Sequence, residues 1–292
     1  MIKSHSARTL LIEIFEGLMI TVLFWNLQKN PNAIDHLPCL AKHHRVDVFL
    51  LTEIPDDVRS AIDKLNVSTS RIYRDPSNIK SKVAAITALK DEKIRHRFTG
   101  DGARLSVWSI SAPLLGSKEI LLAGVHLPAK SGGNTDTAQF SAAKDMMMDL
   151  IDVEDRWRHR NTILVGDFNI NPYDPGMTSV DAVHGLMTRS LAEKPDRVYL
   201  GKTWRRFYNP MWGLFGDRTP GPAGGYYCRS SVPTNTHWSM LDQVLVRPGL
   251  IDLFHDLTIL THDGEHSLVD VDGTPDANRF SDHLPLLFRV GV

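Results

Sequence analysis

ILVGDFNINP, residues 163–172, is the stretch on which the fold turns. Residues 163–165 are apolar, follow Thr162, and have the length and composition of a short buried strand. Gly166 is expected to break that strand. Asp167 and Asn169 come next, two positions apart, and point the same way if the chain stays extended. Asn171-Pro172 closes the turn. A carboxylate and a carboxamide leaving a buried strand suit a hard cation or a phosphate. An Asx turn by itself explains the same residues. The choice depends on whether other strand ends bring partners.

The totals bound what those partners serve. The chain has 292 residues, 42% of them hydrophobic, enough for a large core. The 33 basic and 34 acidic residues leave a net charge of −1, so no global basic excess draws the protein to nucleic acid. A basic groove on a neutral protein is still compatible with that balance. Cys39 and Cys228 form no CxxC, which speaks against a disulfide framework and for a reducing, cytoplasmic setting. The 13 histidines include no HExxH and no paired Cys/His spacing, so zinc has little support at this level. No apolar run is long enough to span a membrane. Glu13 and Glu16 interrupt the apolar N-terminus, which suits a short amphipathic helix better than a signal peptide. Residues 1–18 are therefore expected to be an appendage to a domain covering 19–292.

Outward from residue 163 the chain alternates strands and helices. Strands are expected at 20–25, 46–51, 72–73, 83–89, 104–110, 119–125, 241–246 and 284–290. Helices are expected at 33–45, with Pro38 near its first turn or at a kink, and at 56–66, 135–160 and 177–193. In the longest, Met146, Leu150, Val153 and Trp157 fall on one face. Residues 201–237 are irregular and rich in Gly, Pro and aromatics, a length usual for functional loops. Residues 261–280 read as a polar, mobile loop.

Seven polar residues share one property. Asn26, Glu53, His126, Asp167 and Asn169 end apolar strands, and Asp242 and His283 begin or precede them. In an antiparallel or mixed sheet those ends are neighbours, so all seven can meet on one rim. Glu53, Asn26 and Asp282 offer oxygen ligands of the kind magnesium takes beside water and phosphate. Asp242 and His283 can form an oriented histidine–carboxylate pair. These parts fit metal-assisted attack of water on a phosphoester.

The ordered segments WN (25–26), TE (52–53), GVHL (124–127), GDFN (166–169), LDQVLV (241–246) and SDHLP (281–285) resemble the motifs of the endonuclease/exonuclease/phosphatase superfamily. The resemblance spans residues 20–290. It implies an α/β fold, a four-layer sandwich of two packed, mostly antiparallel sheets flanked by helices. It implies Mg2+, with Mn2+ as the alternative, held by Glu53, Asn26 and Asp282. It places Asp167 at the attacking water or leaving group, and Asn169 and His126 at the scissile phosphate. His283, oriented by Asp242, is base or transition-state stabiliser, and the sequence leaves open which of Asp167 and His283 is the base. The histidine of GVHL is similar to the branches acting as DNase I, sphingomyelinase, inositol phosphatase and tyrosyl-DNA phosphodiesterase.

The expected activity is a nuclease on DNA or RNA, endonuclease or exonuclease. The alternatives are hydrolysis of a smaller phosphoester and a silent binding module. Within 201–237, Arg205, Arg206, Tyr208, Trp212, Tyr227 and Trp238 are the candidate substrate contacts, able to stack on bases and hold phosphates. Arg71, Arg74, Lys80 and Lys82 form a second basic cluster, and the three basic loops would flank the acidic rim. His36, His43, His44, His184, His255 and His266 read as structural or surface residues.

Overall fold

The central strands are near-continuous apolar runs, because both of their faces are covered. A computed structural model describes residues 19–292 apart from 78, 117, 131–134, 232 and 234. The appendage expected at 1–18 lies outside the described residues. In chain order the strands begin with β1 (Met19–Asn26), β2 (Val48–Thr52), β3 (Val83–Thr87), β4 (Ile94–Thr99), β5 (Leu105–Ser111), β6 (Glu119–His126) and β7 (Thr162–Asp167). The short β8 (Gly185–Leu186), β9 (Arg197–Tyr199), β10 (Lys202–Trp204), β11 (Phe207–Tyr208), β12 (Tyr226–Tyr227) and β13 (Trp238–Ser239) follow. The series closes with β14 (Asp242–Val246), β15 (Phe254–Ile259) and β16 (Leu286–Gly291). The helices are α1 (Pro31–Asp35), α2 (Leu37–His44), α3 (Val58–Ser68), α4 (Asp136–Trp157), α5 (Pro175–Thr178) and α6 (Arg189–Ala192).

Two large sheets result, ordered β15-β16-β1-β2-β3 and β4-β5-β6-β7-β14-β11-β8. Pairing is antiparallel apart from β1–β2, β6–β7 and β8–β11. The layers can be read from which residues share a core. Leu121, Ala123, Val125, Leu164 and Leu245 pack with Ala143, Met146, Leu150 and Val153 of α4. Their strand neighbours Ile120, Leu122, Ile163, Val165, Val244 and Val246 join the other core with the residues of β1 and β2. That second core also takes Ile34 of α1, Leu40 of α2 and Leu65 of α3. The fold is thus the four-layer α/β sandwich, helices outside and two sheets within.

The helix expected at 33–45 is two, α1 and α2, with His36 between them and Pro38 in the first turn of α2. α4 starts at Thr135, whose side chain accepts from the Ala138 amide, and stops at Arg158 in a left-handed conformation. The helix expected at 177–193 is α5 and α6 separated by turns and β8. Residues 72–73 pair with no strand. Ile72 is 80% exposed, and only Arg74 makes an isolated bridge, to Thr87. The 261–280 segment, expected to be mobile, is a chain of hydrogen-bonded turns. Asp263 accepts from the Glu265 and His266 amides, and Asp270 from the Thr274 amide and hydroxyl.

Gly166 does not break β7. It sits inside the strand, paired with Gln243 of β14 and Val125 of β6. At φ 157° a Cβ there would lie 1.9 Å from the Val125 carbonyl oxygen, so only glycine fits.

Candidate active site

The pairing registers bring the polar strand ends to one rim. His126 and Asp167 are partners at the C-terminal ends of the parallel β6 and β7. Asp242 faces Asp167 from the start of β14. Asn26 lies beside Thr52, one residue before Glu53, at the ends of β1 and β2. His283 approaches β1 from the segment before β16, because the Trp25 indole donates to its carbonyl at 2.8 Å. The Ser281 hydroxyl donates to the Asn26 carbonyl, and the Gln28 side chain accepts from the Asp282 amide. The WN and SDH segments are therefore stitched together residue by residue.

At the centre lies Asp167, 1% exposed. Its Oδ2 accepts from Asn26 Nδ2 at 3.0 Å and its Oδ1 from the Asn169 amide at 2.8 Å. The second bond is an Asx turn, so the turn and the rim are the same structure. The expectation that Asp167 and Asn169 point alike from an extended chain fails here. Asn169 is left-handed, φ 53°, and its side-chain Nδ2 donates to the Leu127 carbonyl beside His126. Glu53 is left-handed too, φ 49°. Asn takes that conformation readily, but it is uncommon for Glu, so Glu53 marks a backbone held by its surroundings.

His283 Nδ1 lies 2.7 Å from Asp242 Oδ2 in a buried pair. Burial opposes charge on His283, but the carboxylate of Asp242, helped by Asp167 and Asp282, outweighs it and raises the imidazole's proton affinity. Burial raises Asp167 above the ordinary carboxylate range, and the neighbouring Asp242 adds to the rise. The proton affinity of His126 is pushed down by burial, against the attraction of Glu53. His126 Nε2 stands 3.6 Å from Glu53 and 3.8 Å from Asp167, and its Nδ1 is buried with no hydrogen-bond partner among the described residues. Two residues outside the set of candidate site residues border this centre. The Arg104 guanidinium donates to the His126 carbonyl, and the Tyr226 ring lies 4.8 Å from the His283 ring.

Two sets of groups on the rim could take a cation. Asp167, Asp242 and His283 bring ligand atoms within 4.8 Å of one another, but all three are buried and bonded among themselves or to neighbours. Glu53 and Asp282 are partly open, with side chains 31% and 26% exposed. Asp282 Oδ1 has no hydrogen-bond partner among the described residues. An orphaned carboxylate oxygen beside a second carboxylate and the Asn26 amide is a hard-oxygen donor set that fits magnesium or manganese.

The substrate candidates divide. Tyr227 and Trp238 are register partners in the β12–β13 hairpin, and Tyr226, the residue before Tyr227, bridges to His283. Their rings meet edge to face at 5.1 Å. His237 stacks on Tyr227 at 5.6 Å, and Arg229 lies over the same ring at 5.5 Å. Arg205, Arg206 and Tyr208 stand elsewhere. Tyr208 pairs with Val246, at the opposite end of β14 from Asp242. Arg205 is spent on Glu154 and Asp155, and Arg206 donates to the Leu191 carbonyl. Trp212 is half-buried in the 3-10 turn Pro210–Gly213 beside β14. The second basic cluster divides as well. Arg71 and Arg74 are tied to Asp47 and Asp91, whereas Lys82 leads into Val83, the partner of Thr52 at the rim. Spacing along the chain shows neither which sheet end a loop covers nor which acid a cation has taken.

A family model described as Endonuclease/Exonuclease/phosphatase family matches residues 23–283. No curated protein matches the chain. Among solved structures, truncated TDP2 of Caenorhabditis elegans superposes with a TM-score of 0.57 at 14% identity, over 94% of this chain and 99% of that one. TDP2 of D. rerio complexed with single strand DNA product gives 0.54 at 12%, over 94% and 99%. An endonuclease/exonuclease/phosphatase family protein of Bacteroides thetaiotaomicron gives 0.55 at 14%, over 93% and 94%. At such identities the likeness is one of fold.

Proposed function

The chain belongs to the endonuclease/exonuclease/phosphatase family, a family of phosphoester hydrolases, and from that premise we propose that it is a magnesium-dependent phosphodiesterase acting on single-stranded nucleic acid. The observation that carries the reading is the convergence of Glu53, Asp282 and Asn26 beside the buried Asp167–Asp242–His283 cluster. Glu53 and Asp282, with the Asn26 amide, would hold the cation. Bound there it would neutralise phosphate charge and polarise the phosphorus centre.

The protein groups divide the remaining work by geometry. Each Asp167 oxygen accepts one hydrogen bond and keeps a lone pair, so the carboxylate can orient water and take its proton. Asp242 fixes His283 through Nδ1, leaving Nε2 to donate to a phosphate oxygen as negative charge grows there. His126 and Asn169 flank the same space and would position the phosphate.

A polymeric substrate is favoured over a small phosphoester by the Tyr227–His237–Trp238–Arg229 ledge beyond Tyr226. Aromatic faces with a nearby guanidinium suit unpaired bases, and a neighbour of this fold has been crystallised with single strand DNA product. The test is a screen of single- and double-stranded DNA, RNA and bis(p-nitrophenyl) phosphate with magnesium. Expected are cleavage of single strands, its loss in EDTA, and a fall of about 100-fold or more in Asp167→Asn. Tyr227→Ala with Trp238→Ala should weaken cleavage of the oligonucleotide and spare the small ester. Turnover of the small ester alone would sink the nucleic-acid assignment.

A further inference from the structure

Five of the 13 histidines fall in two short segments, 36–44 and 262–266, and the fold lays these against each other on the outer face of the first sheet. A Cβ on Gly264 would touch the His43 ring at 2.7 Å, a measure of how closely the loop after β15 meets α2. Asp263, fully buried, accepts from the Glu265 and His266 amides and sits 2.6 Å from His36 Nδ1 and 3.2 Å from His266 Nδ1. Next to this pair, Cys39 of α2, Glu265 and His266 bring a sulfur, a carboxylate oxygen and a ring nitrogen within 4.8 Å of one another.

We propose that Cys39, Glu265 and His266 form a zinc-type metal site, with Asp263 as the carboxylate that orients His266. The amide bonds of the turn account for Asp263. They do not bring the Cys39 thiol, from a helix more than 200 residues earlier, against the adjacent Glu265 carboxylate and His266 imidazole. A thiolate with an imidazole selects zinc over magnesium. With zinc–ligand distances of about 2.0–2.3 Å, tetrahedral ligands lie about 3.5 Å apart, a closure that rotation of partly exposed side chains supplies. An imidazole bonded through Nδ1 to a carboxylate has its tautomer fixed with the other nitrogen free for metal, the usual support of zinc-bound histidine. Three protein ligands leave one position for water or a fourth group. The ion would clamp the 260–283 segment, which ends in Asp282 and His283, onto α2. His36 already meets Phe280 of that segment edge to face at 4.4 Å. The sequence showed only His36-x-x-Cys39 and Glu265-His266, and neither alone is a zinc spacing.

Cobalt(II) titration of the EDTA-stripped, full-length protein tests this independently of catalysis, because thiolate ligation gives a charge-transfer absorption that oxygen ligands do not. We expect that band to saturate near one equivalent, to be bleached by zinc, and to survive in Cys228→Ser and in Glu53→Gln. It should vanish in Cys39→Ser. Affinity should fall about 10-fold or more in His266→Ala and about 10–100-fold in Asp263→Asn. Circular dichroism of each metal-free variant shows whether it is folded. No thiolate band in the wild type, or a band that persists in folded Cys39→Ser, would overturn the site.

Discussion

At the scale of single residues the rim imposes demands that its neighbours cannot relax. Alanine at Gly166 would drive a methyl into the Val125 carbonyl across a two-sided pairing. We expect Gly166→Ala to cost about 3 kcal/mol or more in denaturant unfolding, at the upper end of overpacking. Gly213→Ala, where nothing lies within 4 Å, should stay within about 0.5 kcal/mol of the wild type. The Asp242–His283 pair acts as a unit, so its losses should not add. Asp242→Asn and His283→Ala are each expected to lower kcat by about 100-fold or more, and the double variant to be no slower than His283→Ala. Additive losses would mean that the two side chains work separately. Tyr73 gives a pH signature away from the site. Burial raises its phenol from 10.0 to about 12, while its hydroxyl donates to the Val46 carbonyl. Between those values the unfolded tyrosine ionises and the folded one does not, so stability is whole below pH 10 and falls as pH climbs toward 12. The fall attributable to Tyr73 is on the order of 2–3 kcal/mol. Tyr73→Phe should be less stable at neutral pH by about 1 kcal/mol, for the lost hydrogen bond, yet have a flatter alkaline limb in urea melts.

At the scale of elements, the far end of the second sheet is tied by charge. Glu154 of α4 and Arg247 after β14 are both essentially buried. Arg247 reaches both Glu154 oxygens at 2.8 and 3.0 Å, and Thr162 and Arg205 complete the carboxylate's partners. Breaking one side of such a pair leaves a buried charge alone. Glu154→Gln should lower stability by about 3–5 kcal/mol, and Arg205→Gln, which leaves the Glu154–Arg247 pair whole, by clearly less. In both, kcat should be near wild type wherever the protein is folded, because the network lies at the strand ends opposite Asp167. The sequence reading sent Arg205 to the substrate because a cation among aromatics looks the same whether or not a buried acid has claimed it. Elements were legible where an apolar run was unbroken or recurred at a strict period. β1, β6 and β7 stand out as near-continuous apolar runs buried on both faces, and α4 because its apolar residues recur at helical spacing. β4 was missed because its burial is confined to Ile94 and the rest of IRHRFT is partly open at a sheet edge. β15 was missed because a register shift between His255 and Thr258 breaks the alternation. The rim carboxylates and histidines were legible as strand ends. The bonds that set them, from Trp25 to His283 and from Ser281 to Asn26, cross more than 250 residues and leave no local trace.

At the scale of the whole molecule, the near-zero charge and the internal use of cations decide how a nucleic acid would be held. Arg71, Arg74, Arg97, Arg205 and Arg247 are all committed to acids of this chain. Near the rim, Lys82 and Arg104 make no ion pair among the described residues, and Arg229 is shared with Asp270. A strand bound here would meet about three cations, one of them shared, so electrostatics supply little of its affinity and stacking on Tyr227 and Trp238 supplies more. For single strands each neutralised phosphate contributes about −0.7 to the slope of log K against log salt. The expected slope for a single-stranded oligonucleotide bound to inactive Asp167→Asn is therefore about −2, read by fluorescence anisotropy from low to moderate salt. Lys82→Ala should make it shallower by about one phosphate's worth. Tyr227→Ala should weaken binding about 10-fold or more with the slope unchanged, since losing a stacked base costs about 1–3 kcal/mol and releases no counterion. A slope steeper than about −5 would mean that many more cations reach the strand than this surface presents. The substrate path would then have to cross the Arg205–Arg206 face at the other end of the sheet rather than the ledge beside His283.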